Sequence, residues 1–425
     1  MRDKLWSRLR ALNGSGPFWN MMGSGMMAAS TVVMTMLVGH FSDLAYVGDF
    51  SLALTTAQIL YSLALFGTND LQMTDYHRRY RFNHFFGVKL FSTALAAVVC
   101  AVVVAALRFN GEAAAFTWLL TAFMLLNSLG ELYQSMFFQS NRLDLTGKAM
   151  FFRYFLSTVA FGAALMAGRT IASACVWMIA VNVAATLWWD FRRAGEFRDA
   201  GYALEIGRSL SLIREALPLC LSVLGSLFVV NCPKYIINAR LSSEVQGLYN
   251  ILFIPTYSIN LLSQFIFRPY LARYEALLRG DVKGFWRLLV KQAGVIAAAG
   301  VFLGAFMYLV GAPFLKLLFG QDVSGYRALM GLFMVSGGIL AVNQLLYYIM
   351  VILRRQKTIL LIFLTSSALT LLVGLALIAR FEISGAWMAF TAGQACILGG
   401  YALALRRAVA TRSGERDGKD NRINE

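Results

Sequence analysis

Charge is what this sequence has least of. Only 14% of its 425 residues are Asp, Glu, Lys or Arg, while 58% are hydrophobic and the mean hydropathy is +0.62. A soluble domain carries about 25% charged and 45–50% apolar residues, so the chain reads as a membrane protein with no room for a large soluble domain. Histidine is nearly absent: His40, His77 and His84 are scattered and support no metal site. The five cysteines, Cys100, Cys175, Cys220, Cys232 and Cys396, are odd in number, and each lies in an apolar segment without metal-ligand spacing. They read as small buried hydrophobes. Phosphate-cradling glycine loops and nucleophile elbows are also missing. The short outer connections offer only Asp43, Glu112, Glu244, Asp322 and Glu382, with Asp49 just inside the second span. No pair of carboxylates there has a supporting scaffold, so neither an enzyme nor a cofactor is expected.

What the chain does have is apolar runs. Its length accommodates about a dozen spans of roughly 20 residues, placed at 17–39, 44–67, 85–107, 113–138, 149–167, 170–190, 215–237, 244–267, 292–318, 327–353, 358–379 and 385–405. The run from Phe18 to Val38 is too long for the roughly 7–15-residue core of a signal peptide, so it reads as a first span that is kept. Before it, residues 1–16 interleave Arg2, Lys4, Arg8 and Arg10 with Leu5, Trp6, Leu9 and Leu12 and suit a membrane surface. Basic residues concentrate in 68–84, 139–148, 191–214, 268–291, 354–357 and the two ends. By the positive-inside rule these segments and both termini face the cytoplasm. The net charge of +16 is then topology, with some affinity for anionic lipid headgroups and none implied for nucleic acid.

The halves resemble each other weakly. A shift of about 199 positions lays Gly48-Asp49-Phe50-Ser51 on Gly247-Leu248-Tyr249-Asn250, and one of about 212 lays Ile171, Ala174 and Asn182 on Ile383, Ala386 and Gln394, with Glu131 on Asn343. The expected architecture is all-α, with about 12 transmembrane helices in two pseudo-symmetric six-helix bundles, 17–190 and 215–405. A cytoplasmic linker, 191–214, joins them, and 406–425 forms a polar cytoplasmic tail. A transport path is expected at the interface of the bundles.

Polar groups inside the spans are the functional candidates, because lipid offers them no partner. Asn127, Glu131 and Gln134 lie at spacings of four and three and share a helix face. Gln58, Asn182, Asn343, Gln344 and Gln394 are dispersed over four further spans. Richest is the stretch from Arg214 to Arg268, where Pro218, Pro233 and Pro255 loosen apolar helices that carry Asn231, Lys234, Asn250, Asn260 and Gln264. For the amides, interhelical hydrogen bonding that merely holds the bundle is the alternative. Arg153 and Arg268 either snorkel to the inner interface or touch substrate. The small residues of the first span, Gly16, Gly23, Ser24, Gly25, Ala28 and Ala29, suit close packing or bending.

Pro218 and Lys234 followed by YIINARLSSEVQGLYNI resemble the polysaccharide-biosynthesis, O-antigen flippase-like branch of the multidrug/oligosaccharidyl-lipid/polysaccharide superfamily. RPYLARYEALLRGDVKGFWRLL, FLKLLFGQDVSGY and ISGAWMAF extend the resemblance over most of the chain. It implies an inner-membrane flippase that moves an undecaprenyl-pyrophosphate-linked oligosaccharide to the outer leaflet by alternating access, beside polymerase or assembly partners. In that setting the amides meet sugar hydroxyls, Tyr249 and Tyr257 stack on sugar rings and Lys234 attracts the pyrophosphate. Relatives often carry several cations deep in the cavity, whereas here Lys234 stands almost alone. The competing readings are a cation-coupled multidrug exporter of the same superfamily and a membrane scaffold that transports nothing. The exporter typically needs an acid in the first span, and 17–39 has none, which leaves Glu131 as the protonation candidate.

Overall fold

A computed structural model describes residues 16–75, 78–109, 111–267, 270–353 and 355–423, without the side chains at 70, 74, 261, 264, 265, 272, 279 and 410–423. Among these residues every regular element is helical. In order they are α1 Gly16–Phe41, α2 Leu44–Leu65, α3 Thr68–Thr74, α4 Phe82–Ala106, α5 Gly111–Gln139, α6 Leu143–Met166, α7 Ile171–Ala185, α8 Arg192–Phe197 and α9 Ile206–Arg240. There follow α10 Ser243–Phe253, α11 Thr256–Phe267, α12 Leu271–Gly280, α13 Val282–Phe319, α14 Arg327–Ile352 and α15 Gln356–Ile423. Helices are the form in which apolar runs satisfy their own backbone without water.

Nine helical stretches among the described residues are long and apolar enough to cross a membrane. Three further spans complete the dozen. One is α2, 22 residues long, whose Asp49, Ser51, Thr55 and Thr56 are buried. The second is α10 with α11, which Pro255 separates because proline supplies no N–H to continue the ladder. The third comes from α15. Its apolar part, Gln356–Val409, is 54 residues, about 80 Å of helix against a hydrocarbon core of about 30 Å. It reverses at Glu382, whose φ of 46° and ψ of −120° are not helical. Gly385 lies against the Leu377 carbonyl there, where a Cβ would collide.

The sequence places the membrane-embedded part of each helix, but several helices begin earlier, at Phe82, Leu143, Ile206 and Val282 rather than 85, 149, 215 and 292. Hydropathy marks the stretch that needs lipid. The helix continues into the polar interface, where charged residues still favour it.

The chain divides into two compact units, Met1–Leu224 and Gly225–Glu425, and the boundary falls inside α9. In the first unit α1 packs on α6: Gly16 touches Leu143, and Gly23 and Gly147 bring the backbones together where a Cβ would not fit. Close approach therefore accounts for Gly16 and Gly23, whereas Gly25 faces open space. In the second unit α13 meets α14 through Gly300 against Gly338 and Gly304 against Gly331. The second leg of the broken span docks on α14 as well. Thr256 Oγ1 donates to the Phe333 carbonyl at 3.4 Å beside Gly337.

Segment 198–215 is fastened to the first turn of α4 and to the loop before it, in its own unit. Asp199 Oδ1 accepts from the Phe82 amide at 2.9 Å, and Glu205 accepts from Asn83 Nδ2 and His84 Nε2, each at 2.9 Å. His84 Nδ1 accepts from the Arg81 amide at 3.1 Å, which fixes the proton on Nε2. Glu215 takes Arg79 at 2.9 Å and Tyr80 at 3.1 Å. The His84 hydrogen bond, then that from Asn83, holds the Glu205 carboxyl below its ordinary value of 4.5. A lowered folded-state value means that the clasp contributes fully above 4.5 and is lost as pH falls through the lower folded value. Glu205→Gln is thus expected to lower the thermal midpoint at neutral pH and to match the wild type once the pH lies below the lowered value of Glu205. A pH-independent difference between the two proteins would refute the assignment.

Candidate functional site

Among the buried titratable side chains of the first unit are Lys89, Glu131, Arg153 and Asp190. Lys89, on the second turn of α4, is fully buried, and its Nζ donates to Asn69 Oδ1 at 3.2 Å and to the Ala64 carbonyl at 3.4 Å. Asn69 in turn donates through Nδ2 to Glu131 Oε2 at 3.2 Å, and Tyr61 donates to Glu131 Oε1 at 3.2 Å. Lysine, amide, carboxylate and phenol form one chain across α4, α3, α5 and α2. Glu131 also lies within Coulombic range of a second pair, Arg153 and Asp190. Each of those two is 1% exposed, and Arg153 Nη1 donates to Asp190 Oδ2 at 3.2 Å. Asp190 reaches that position from a π-helical segment, Thr186–Phe191, that continues α7. The wider turn re-aims the side chain, a distortion found often at functional sites. Gly130 leaves the space that the Arg153 guanidinium fills.

The shared face of α5 therefore serves two different clusters. One turn from Glu131, Asn127 Oδ1 accepts from Asn182 Nδ2 at 3.2 Å, and Asn182 reaches Ser157 Oγ at 3.4 Å. This trio joins α5, α6 and α7 as interhelical glue. Gln134 is fully buried, and neither of its side-chain polar atoms has a partner among the described residues. Gln58 sits half-buried on α2.

In the second unit the buried face of α10 presents Gln246, Tyr249, Asn250 and Phe253, at the 3- and 4-residue spacings of one helix face. Tyr249 and Phe253 stack at 5.6 Å, and Phe333 and Phe390 meet Phe253 edge-on at 5.8 and 5.0 Å. Lys234, 3% exposed on α9, holds its Nζ 5.5 Å over the Phe253 ring. Among the described residues it is the buried charged side chain of this unit. Both polar atoms of Gln246 and the Tyr249 hydroxyl lack partners among the described residues. Tyr257, 40% exposed on α11, meets Phe253 edge-on at 5.3 Å. Asn231 donates to the Leu227 carbonyl of its own helix at 2.9 Å, and the Asn260 side-chain oxygen is buried without a partner among the described residues. Asn343 Nδ2 bonds the side-chain and backbone oxygens of Gln394, each at 2.9 Å, and so ties α14 to α15. Gln344 is half-buried beside it. Arg268 and the Gln264 side chain lie outside the described residues.

Lys234 is not nearly alone, since Lys89 and Arg153 are also deep cations. Lys89 lies inside the run FFGVKLF, where a single lysine near a span's end passes for interfacial. Arg153 does not snorkel; it pairs with Asp190. Gln246 is a further buried amide, and its spacing to Tyr249, Asn250 and Phe253 is legible in the sequence.

No protein-family model and no curated protein matches this chain. Solved structures do. An inward-facing multidrug resistance MATE family transporter of the MOP superfamily superposes with a TM-score of 0.67 at 13% identity, over 90% of this chain and 95% of that one. The MATE multidrug transporter DinF-BH, solved as a complex, gives 0.60 at 17% identity, over 94% and 96%. A MOP superfamily transporter from Pyrococcus furiosus, described by a reversed polarity of its binding pocket that suggests a different function, gives 0.56 at 13%, over 94% and 98%. The chain has the fold of these polytopic membrane proteins.

Proposed function

We propose that this chain, built on the fold of MATE transporters, is a flippase that carries an undecaprenyl-pyrophosphate-linked oligosaccharide across the inner membrane by alternating access. The observation that carries the reading is the α10 face with Lys234. It sets a buried cation beside stacked aromatics and beside amide and phenol groups that have hydrogen bonds to give. A pyrophosphate asks for the cation, sugar rings ask for aromatic faces, and sugar hydroxyls ask for amides. Asn250 lies on the same face of α10, and Tyr257, edge-on to Phe253, extends its aromatic surface; Asn231 and Asn260 are the further amides assigned to the sugar in this reading.

The sign of the charge argues against cationic drugs as the main cargo. In the first unit the acids Glu131 and Asp190 stand with the bases Lys89 and Arg153, so the acidic groups are offset where a cation exporter would need them exposed to its cargo. The exporter reading keeps one support, because neighbours of the same fold are multidrug transporters.

Deleting the gene in its host separates the readings. Lipid-linked oligosaccharide accumulating on the cytoplasmic leaflet is the expected result. Unchanged glycans together with new sensitivity to cationic drugs would replace the flippase with the exporter. Unchanged glycans and drug tolerance, with loss of a polymerase complex, would leave a scaffold.

A further inference from the structure

We propose that the end of the second unit where α14 gives way to α15 holds the phosphate headgroup of an anionic phospholipid from the cytoplasmic leaflet. A cavity of about 300 Å³ lies there, and both Arg355 and Arg407 line it. Two arginines thus line one cavity, and guanidinium groups recognise the oxygens of a phosphodiester in a planar, two-pronged geometry. Thr358 adds a hydroxyl to the lining. The first turn of α15 begins at Gln356, so amides without intrahelical acceptors and the positive end of the helix dipole lie at the same place.

The remaining walls point to a lipid as the source of the phosphate. Met350, Ile362 and Leu403 form an apolar lining, which a free phosphate would leave unused. Leu403 is itself 60% exposed, and on the first leg of α15 Leu361 and Leu364 are 61% and 56% exposed. Greasy surface thus continues from the cavity along both legs of the helix, as an acyl chain requires. The volume equals that of about ten water molecules, enough for a phosphate with its glycerol, while the chains remain in the bilayer. The position agrees with the charge pattern, since 354–357 and the tail are among the basic segments assigned to the cytoplasmic side, whose leaflet is the anionic one. This site is separate from the Lys234 face and does not depend on what the protein transports.

The test uses the full-length protein in micelles with phosphatidylglycerol and phosphatidylcholine, read by native mass spectrometry. The wild type is expected to retain phosphatidylglycerol at least tenfold better than Arg355→Ala/Arg407→Ala, and phosphatidylcholine no better. Lys357→Ala/Arg406→Ala removes the same charge outside the cavity lining and is expected to retain the lipid. Ala404→Leu narrows the cavity without touching charge, and is expected to weaken retention; it carries the test if the arginine variant fails to fold. Equal loss in both charge variants would reduce the site to diffuse attraction. Displacement of the lipid by inorganic phosphate alone would make it a free-phosphate site, and both results overturn the proposal.

Discussion

Arg153→Leu is expected to destabilise the protein by about 3–5 kcal/mol, and Asp190→Leu added to the same chain is expected to restore most of that loss. Both side chains are 1% exposed, and they meet through one 3.2 Å hydrogen bond. Removing the guanidinium alone strands a carboxylate where water cannot reach it, whereas removing both leaves neither charge of the pair without its partner. The asymmetry between single and double variants is what identifies a buried pair. A surface pair behaves otherwise: Lys316 and Asp322 stand 3.3 Å apart with both side chains about 60% exposed, and such pairs contribute at most about 1 kcal/mol. Denaturant or thermal unfolding in micelles measures both variants. Equal destabilisation by the single and double changes would mean that the volume of Arg153 against Gly130, and not its charge, is what the fold requires.

That pair also shows where reading the sequence stops. Hydrophobic runs of about 20 residues located every span, because membrane insertion depends on local composition. Of the three prolines in the richest stretch, Pro255 separates α10 from α11, whereas α9 runs unbroken through Pro218 and Pro233. Partnerships were not local. Arg153 and Asp190 are 37 residues apart, and nothing near Asp190 signals the π-helical turn that brings it inward. In the sequence Asp190 stands at the very end of the sixth span, against the polar linker 191–214. Glu131 was recognised as costly, but its partners Asn69, Lys89 and Tyr61 come from three other helices. The one-face spacing of Asn127, Glu131 and Gln134 was legible, yet it led to two clusters and an unpartnered amide, since each turn of α5 meets different neighbours.

Lys234 is where the proposed function is most exposed to disproof. Lys234→Gln keeps a long polar side chain but removes the charge, and it is expected to slow oligosaccharide translocation about ten- to a hundredfold. The magnitude follows from a hydrogen bond to a charged group, about 1.5–3 kcal/mol, at about 1.4 kcal/mol per factor of ten. Lys234→Glu is expected to abolish translocation, because it sets like charges together over the Phe253 ring. Tyr249→Phe removes one hydroxyl and keeps the stacked ring, so a smaller loss, several-fold, is expected. Asn343→Ala breaks the tie between α14 and α15 and is expected to lower the thermal midpoint while leaving the rate per folded molecule unchanged. Leaflet-specific labelling of lipid-linked oligosaccharide in proteoliposomes reads the rates, and unfolding of the same preparations separates function from fold. If Lys234→Gln transports at the wild-type rate while folded, the pyrophosphate is not held by this cation. If it binds cationic dyes more tightly than the wild type, the lysine excludes the cargo of an exporter and does not attract that of a flippase.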